Sequence, residues 1–357
     1  MNSNRKLKNL ICVVLIVALI FSLTACGDGE PAFKGHNVVL TFAGENISLG
    51  EVYLYANTVI EDYESVYGNE IWSTDISISR DATANMEDVT RRDIIDNIVH
   101  IKLLKKKAPE YKVALSDDEM NEVIRATDSF YEKLTDDQLE EMELDYDTVK
   151  KVMEENAIAK RVYDEIIGEA DIEVSDEEAR ETTFYDLYFE CYAVASSGDV
   201  TEFSEDEKAA QYERALQAYN TLINPIESTT NDGTSSKKSN SMNIEGLAEY
   251  YGLKNSSYYT MTPSEIEGIY GKDICDSLYG LEDGSYSLVT ESEYGYHIFY
   301  MKELTDRDAT DNHKLDIITS KKNSYMEELY AEWLPKIDNG YSYEKSVDFG
   351  IYNRIEF

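Results

Sequence analysis

The chain is poor in cysteine, proline, histidine and basic residues: 357 residues hold four Cys, five Pro, four His and 33 Lys plus Arg, against 71 Asp plus Glu. Each scarcity excludes something. Four cysteines at positions 12, 26, 191 and 275, none in a Cys-x-x-Cys pair, make neither a disulfide framework nor a thiolate metal motif. A formal charge of −38 repels phosphates, so nucleic acid is excluded as a partner. There is no Gly-rich phosphate loop, no His-Glu-x-x-His and no Gly-x-Ser-x-Gly. Acidic runs such as TDDQLEEMELDYD, residues 135–147, lack the spacing of a calcium loop and read as solvated helix faces. No train of βαβ units runs along the chain, which excludes the usual solute-binding architecture.

What is present begins at the N-terminus. Arg5, Lys6 and Lys8 precede an apolar run from Leu10 to Leu23, which ends in Leu-Thr-Ala-Cys. That is the pattern of a secretory signal, and the run is short of the roughly 20 apolar residues of a membrane span. The last four residues resemble a bacterial lipobox. The resemblance implies that residues 1–25 are a lipoprotein signal peptide and that Cys26 is lipidated. Residues 26–35 would then be a short tether on the extracytoplasmic side of the cell membrane. An N-terminal membrane anchor with a chance cysteine is the alternative. Cys191 and Cys275 remain, as two buried thiols or as a single bridge.

Helix starts are marked by capping boxes, in which a Ser or Thr caps the first turn and a Glu or Gln three residues on reaches back. The pattern recurs at Ser48–Glu51, Ser116–Glu119, Thr135–Gln138, Ser175–Glu178, Ser204–Glu207 and Thr262–Glu265. Residues 36–182 read as a short strand followed by a helical domain. In one helix Ile94, Ile98, Ile101 and Leu104 face inward, flanked by Ile95 and Val99; in another the inner set is Val149, Met153, Ile158, Val162 and Ile166. His100 lies at the edge of the first stripe as a boundary residue. At 183–195, TFYDLYFECYAVA turns aromatic and β-branched with a period near two, which predicts a strand. A helix over 204–224 and a polar loop over 225–241 follow. Short helices at 244–251 and 263–279 then lead into strands at EDGSYSLV and YGYHIFYMKEL. The class is α+β, with an antiparallel sheet over 183–306 inserted before a terminal helix and tail, 307–357.

This layout resembles the PrsA-type foldase lipoproteins and the related SurA-type chaperones. The closest sequence signal is LEDGSYSLVTESEYGYHIFYM. It matches a parvulin pattern at Leu281, Gly284, Ser287, Tyr294, Gly295, Tyr296, His297 and Ile298. The resemblance implies a peptidyl-prolyl isomerase domain that needs no metal or cofactor. Such a domain lowers the roughly 20 kcal/mol barrier of an X-Pro amide by favouring its twisted form. It also implies two histidines on the floor of the site. His297 stands on the second, while the first strand, YDLYFECY, carries none. His297 therefore reads as a sheet residue hydrogen-bonded to the interior, with a catalytic role as the alternative. Tyr259, Met261, Ile274 and Leu278 are the candidate lining of a proline slot.

The expected function is a membrane-anchored, extracytoplasmic folding helper for secreted proteins, with weak or absent isomerase activity. Its partners would be unfolded or nascent secreted polypeptides and, through Cys26, the membrane; a homodimer is left open. Tyrosine-rich stretches support client binding, with Tyr53, Tyr55, Tyr63 and Tyr67 in one and Tyr250, Tyr251, Tyr258 and Tyr259 in another. An active parvulin-type isomerase and a surface-anchored interaction protein built on a foldase scaffold are the alternatives.

Overall fold

The capping boxes show how local chemistry sets the elements. The computed structural model describes residues 37–79, 82–224 and 242–357; the signal, Cys26, the tether and the loop at 225–241 lie outside them. Full boxes close at Ser116, Thr135, Ser204 and Thr262. Ser48 caps its helix by accepting the Glu51 amide, but the Glu51 carboxylate turns inward instead of back. Ser175 caps a turn that does not continue as a helix. Compact packing divides the chain into two units, Met1–Ile172 with Ser320–Phe357, and Glu173–Thr319.

In the first unit, β1 (Val38–Phe42) and β2 (Glu45–Ser48) form an antiparallel ribbon that feeds helix α1 (Leu49–Tyr67). Gly50 lets α1 approach the chain closely, since a Cβ there would sit 2.4 Å from the Glu143 carbonyl oxygen. A 3-10 turn (Asn69–Ser73) and a hairpin of β3 (Asp75–Ser79) and β4 (Ala82–Asn85) come next, a hairpin that the sequence reading did not anticipate. The helices α2 (Met86–Lys107), α3 (Asp117–Tyr131), α4 (Asp136–Glu141) and α5 (Tyr146–Glu169) follow. The α2 stripe from Ile94 to Leu104 is buried throughout. On α5, Val149, Met153, Val162 and Ile166 are buried while Ile158 is only half-buried, and Val152 and Ala159 fill the face beside it.

Charge also enters this core. Lys102, 1% exposed, meets Glu51 at 2.5 Å, Glu45 at 2.9 Å and, closest of all, Glu155. Lys105 holds Glu155 at 2.6 Å, and Lys151 reaches Glu45 at 2.9 Å and Glu51 at 3.0 Å. Burial pushes the Glu45 carboxyl up, but hydrogen bonds from Lys151 and Lys102 outweigh it and hold the pKa at about 2. Three lysines and three glutamates thus tie β2, α1, α2 and α5 together, each charge compensated by opposite neighbours, as burial of ions requires.

The end of the chain completes the same core. Met326, Tyr330 and Trp333 of α10 (Arg307–Ile337) are buried within it, and His100 stacks on Tyr330 at 3.9 Å. Burial holds the His100 pKa down at about 4. Beyond α10 lie α11 (Tyr343–Ser346) and α12 (Phe349–Tyr352). The Asp348 amide donates to the Val39 carbonyl at 2.7 Å, and the Tyr352 hydroxyl to the Arg91 carbonyl at 2.8 Å.

The second unit is built on a four-stranded antiparallel sheet, ordered β8 (Ser257–Met261), β5 (Thr182–Glu190), β10 (Gly295–Glu303) and β9 (Thr290–Ser292). The edge strand β8 is an addition to the sequence reading. The predicted strand over 183–195 ends at Glu190; after Cys191 the chain turns into a separate hairpin, β6 (Tyr192–Val194) with β7 (Val200–Glu202). One sheet face packs Tyr185, Leu187, Phe189 and Ile298 against α6 (Glu205–Ile223) and α7 (Ile244–Tyr251). The other packs Phe184, Phe299 and Met301 against α8 (Pro263–Tyr270) and α9 (Lys272–Tyr279). These two helices correct the single one expected over 263–279, because Gly271 breaks the run at φ 84°, a conformation that glycine adopts freely. Cys191 and Cys275 are both buried free thiols rather than a bridge.

Candidate functional site

The alternation of β5 and β10 decides which side chains meet. Their antiparallel register sets His297 opposite Tyr188, Phe299 opposite Asp186 and Met301 opposite Phe184, so these six residues share the α8–α9 face. Gly295 makes the start of β10 possible: a Cβ there would lie 2.2 Å from the Phe189 carbonyl oxygen and 3.0 Å from the Tyr188 ring. The tight pairing carries the chain directly into His297.

His297 is 3% exposed and makes two hydrogen bonds. Its Nδ1 lies 2.9 Å and 3.0 Å from the two carboxylate oxygens of Asp186, itself buried on β5. Its Nε2 lies 2.8 Å from the Oγ of Ser292 on β9. A carboxylate only accepts, so Nδ1 carries a proton; in the tautomer that leaves Nε2 bare, Nε2 accepts from the serine hydroxyl. The ring is clamped flat, stacked on Tyr188 (4.5 Å, 2°) and Phe299 (5.5 Å, 4°), with Tyr270 edge-on at 5.6 Å.

Asp186 takes a second donor, the Tyr270 hydroxyl, at 3.1 Å. Burial, followed by the Asp186 charge, pushes the Tyr270 hydroxyl well above its ordinary pKa and raises that of Tyr259 in the same way. Both phenols stay protonated and serve as donors. The arrangement is a closed polar network within an aromatic layer: serine to imidazole to carboxylate, with a tyrosine on the far oxygen. It can hold the imidazole in one tautomer and move a proton between Ser292 and His297. Neither ring nitrogen is left to address a ligand.

The four residues expected to line a slot all fall in one apolar cluster with Phe184, Phe299 and Met301. Ile274 and Leu278 are buried at its floor, whereas Tyr259 and Met261 are only half-buried. Of the tyrosine-rich stretches, Tyr55 and Tyr63 belong to the core, while Tyr67, Tyr250 and Tyr258 are exposed. Sequence reasoning missed Asp186, Tyr188, Tyr270 and Ser292. The signal was present for Asp186, a lone charge in an aromatic strand, which must find a buried partner.

Comparison with known proteins agrees with this architecture. Residues 1–133 match the SurA-like N-terminal domain family. The foldase protein PrsA of Clostridium perfringens is 27% identical over 300 residues, covering 82% of this chain and 80% of that protein. PrsA of Caldanaerobacter subterraneus is 24% identical over 330 residues, covering 90% and 92% respectively. Among solved structures, the peptidylprolyl isomerase PrsA of Bacillus cereus aligns with 79% of this chain and 97% of its own at 14% identity. The TM-score of that alignment is 0.26. By sequence, the chain is a homologue of the PrsA/SurA-type foldases.

Proposed function

We propose that this foldase homologue is a lipid-anchored folding helper. It would be tethered through Cys26 to the extracytoplasmic face of a bacterial membrane, where it engages unfolded or nascent secreted chains and has weak or no prolyl isomerase activity. Kinship with foldases supports the chaperone role, and the lipobox-like ending of the N-terminal segment supports the anchor. Exposed tyrosines support client binding, since each offers apolar area with a polar tip and little rotamer entropy to lose.

The observation that carries the weak-isomerase part is the closed network at His297. Both imidazole nitrogens are engaged internally and the ring is 3% exposed, so no imidazole hydrogen bond is free to favour a twisted amide. Each 1.4 kcal/mol of transition-state stabilisation so withheld costs about tenfold in rate. An active isomerase is the second reading. It is favoured by half-buried Tyr259 and Met261 lying on the same cluster as Ile274 and Leu278, the floor that a proline ring would need.

Two assays on the purified mature chain test the proposal. Aggregation of a chemically unfolded secreted protein should slow in its presence; no effect at several-fold excess would refute the chaperone role. Isomerisation of an X-Pro model peptide should run near its uncatalysed rate, with no change in His297→Ala. Rapid catalysis abolished by that substitution would establish the second reading instead.

A further inference from the structure

We propose that Ser292, His297 and Asp186 form a nucleophilic relay, in which the Ser292 hydroxyl attacks activated acyl or phosphonyl groups such as small aryl esters. This goes beyond the folding role and uses the His297 network for different chemistry. The connectivity is the one that nucleophilic catalysis needs: a hydroxyl within hydrogen-bond reach of a base, and the base oriented by a third group. Ser292 Oγ lies 2.8 Å from His297 Nε2, and His297 Nδ1 lies 2.9 Å from Asp186. Tyr188 and Phe299 hold the ring flat, and Tyr270 fixes the carboxylate.

The surroundings of Ser292 suit a nucleophile better than a purely structural hydroxyl. It is half-buried on β9, an edge strand, between exposed Glu291 and Glu293, and its base, His297, is buried behind it. Its single hydroxyl proton has two acceptors in range, the Gly295 carbonyl at 3.3 Å and His297 Nε2 at 2.8 Å, and the shorter contact is to the base. The Tyr294 amide donates to Oγ at 3.2 Å and helps fix its position.

With an ester, Oγ bonds to the carbonyl carbon and its proton passes to Nε2. The leaving aryloxide then takes that proton as its bond to the carbonyl carbon breaks. In the second half a water at the Ser292 edge bonds to the acyl carbon and passes its proton to the same nitrogen; the carbon–Oγ bond then breaks, Oγ takes that proton back and the acid leaves. With a phosphonofluoridate, the Oγ–P bond forms as the Oγ proton passes to Nε2, the P–F bond breaks, fluoride leaves and the adduct persists. The Tyr294 amide addresses the nucleophile rather than the substrate oxyanion, and a single oxyanion-hole donor is worth about 10²–10³ in rate. Covalent capture is therefore the better readout.

The test is intact-mass and peptide analysis of the folded chain after incubation with a fluorophosphonate probe. The expected adduct is on Ser292, absent in Ser292→Ala and at least tenfold slower in His297→Gln. Ser264, an exposed hydroxyl bonded to Thr262, serves as the internal control and should stay unlabelled. The charged and titratable groups facing the imidazole are Asp186 and Tyr188 from β5 and Tyr270 from α8. Asp186 acts as a positioning residue, so the near-isosteric Asp186→Asn should slow labelling and displace its pH profile to lower pH. No adduct on Ser292 in the folded chain overturns the proposal. So does equal labelling of Ser264, or an Asp186→Asn profile that superimposes on that of the unaltered chain. Suppression of aggregation does not involve Ser292, so either result leaves the folding role to be judged by its own assay.

Discussion

The two units bury charge in opposite ways. In the helical unit, Lys102, Lys105 and Lys151 interlock with Glu45, Glu51 and Glu155, and opposite charges balance within the cluster. In the sheet unit, Asp186 is held without any Lys or Arg, by the His297 imidazole at Nδ1 and the Tyr270 hydroxyl. The first arrangement joins elements distant in sequence and tolerates no missing member. The second is a short polarised chain that ends on a half-buried serine. One is built to hold a fold, the other to set the state of one imidazole.

That contrast can be broken by substitution. Lys102→Met leaves Glu51 and Glu155 buried beside fewer cations and should cost the helical unit about 3–5 kcal/mol. Asp186→Asn keeps shape and an acceptor oxygen, and should cost the sheet unit only about 1–2 kcal/mol, near the difference between charged and neutral hydrogen bonds. Denaturant midpoints of the two variants compare these directly; equal losses would erase the distinction.

A smaller and pH-dependent effect sharpens the picture of the helical unit. Burial, then repulsion from Asp96, raises the Asp93 pKa from 3.8 to about 6. The folded chain therefore keeps a proton that the unfolded chain loses between those values. The resulting stability is full below pH 3.8 and is lost as pH rises through 6. Asp93→Asn should accordingly stabilise the unit by about 1–2 kcal/mol at pH 8 and leave it unchanged near pH 3.5. His100 titrates with the opposite sign, its depressed pKa withdrawing stability as pH falls from 6.5 toward 4. It is common to both chains, so it cancels from the difference. Melting curves at the two pH values give the answer, and a stabilisation independent of pH would contradict the assignment.

Much of the fold was legible because it is written locally. Capping boxes and the 3.6-residue stripes of α2 and α5 need only near neighbours to be read. Where the reading went astray, a distant partner decided. Glu51 has the spacing of a capping residue, yet a carboxylate beside Lys102 gains more than one turned back to an amide. Ser175 opens a turn that nothing downstream continues as a helix. The β8 strand, SYYTM, becomes a strand by pairing with β5, whose nearest partner residue is more than 60 positions away. The site shows the same limit. His297 stood out for its rarity and its strand, but Asp186 and Ser292 acquire meaning only from the register that carries them to opposite nitrogens of the same ring.

The central claim is that the His297 imidazole is a fixed neutral tautomer with both nitrogens engaged inside the sheet unit. Long-range nitrogen–proton NMR of the His297 ring near pH 7.5 tests it most directly. A protonated Nδ1, an unprotonated and hydrogen-bonded Nε2, and collapse of the pattern in Asp186→Ala are the expected results. A ring protonated at Nε2, or averaging between tautomers as a solvent-exposed histidine does, would contradict the account.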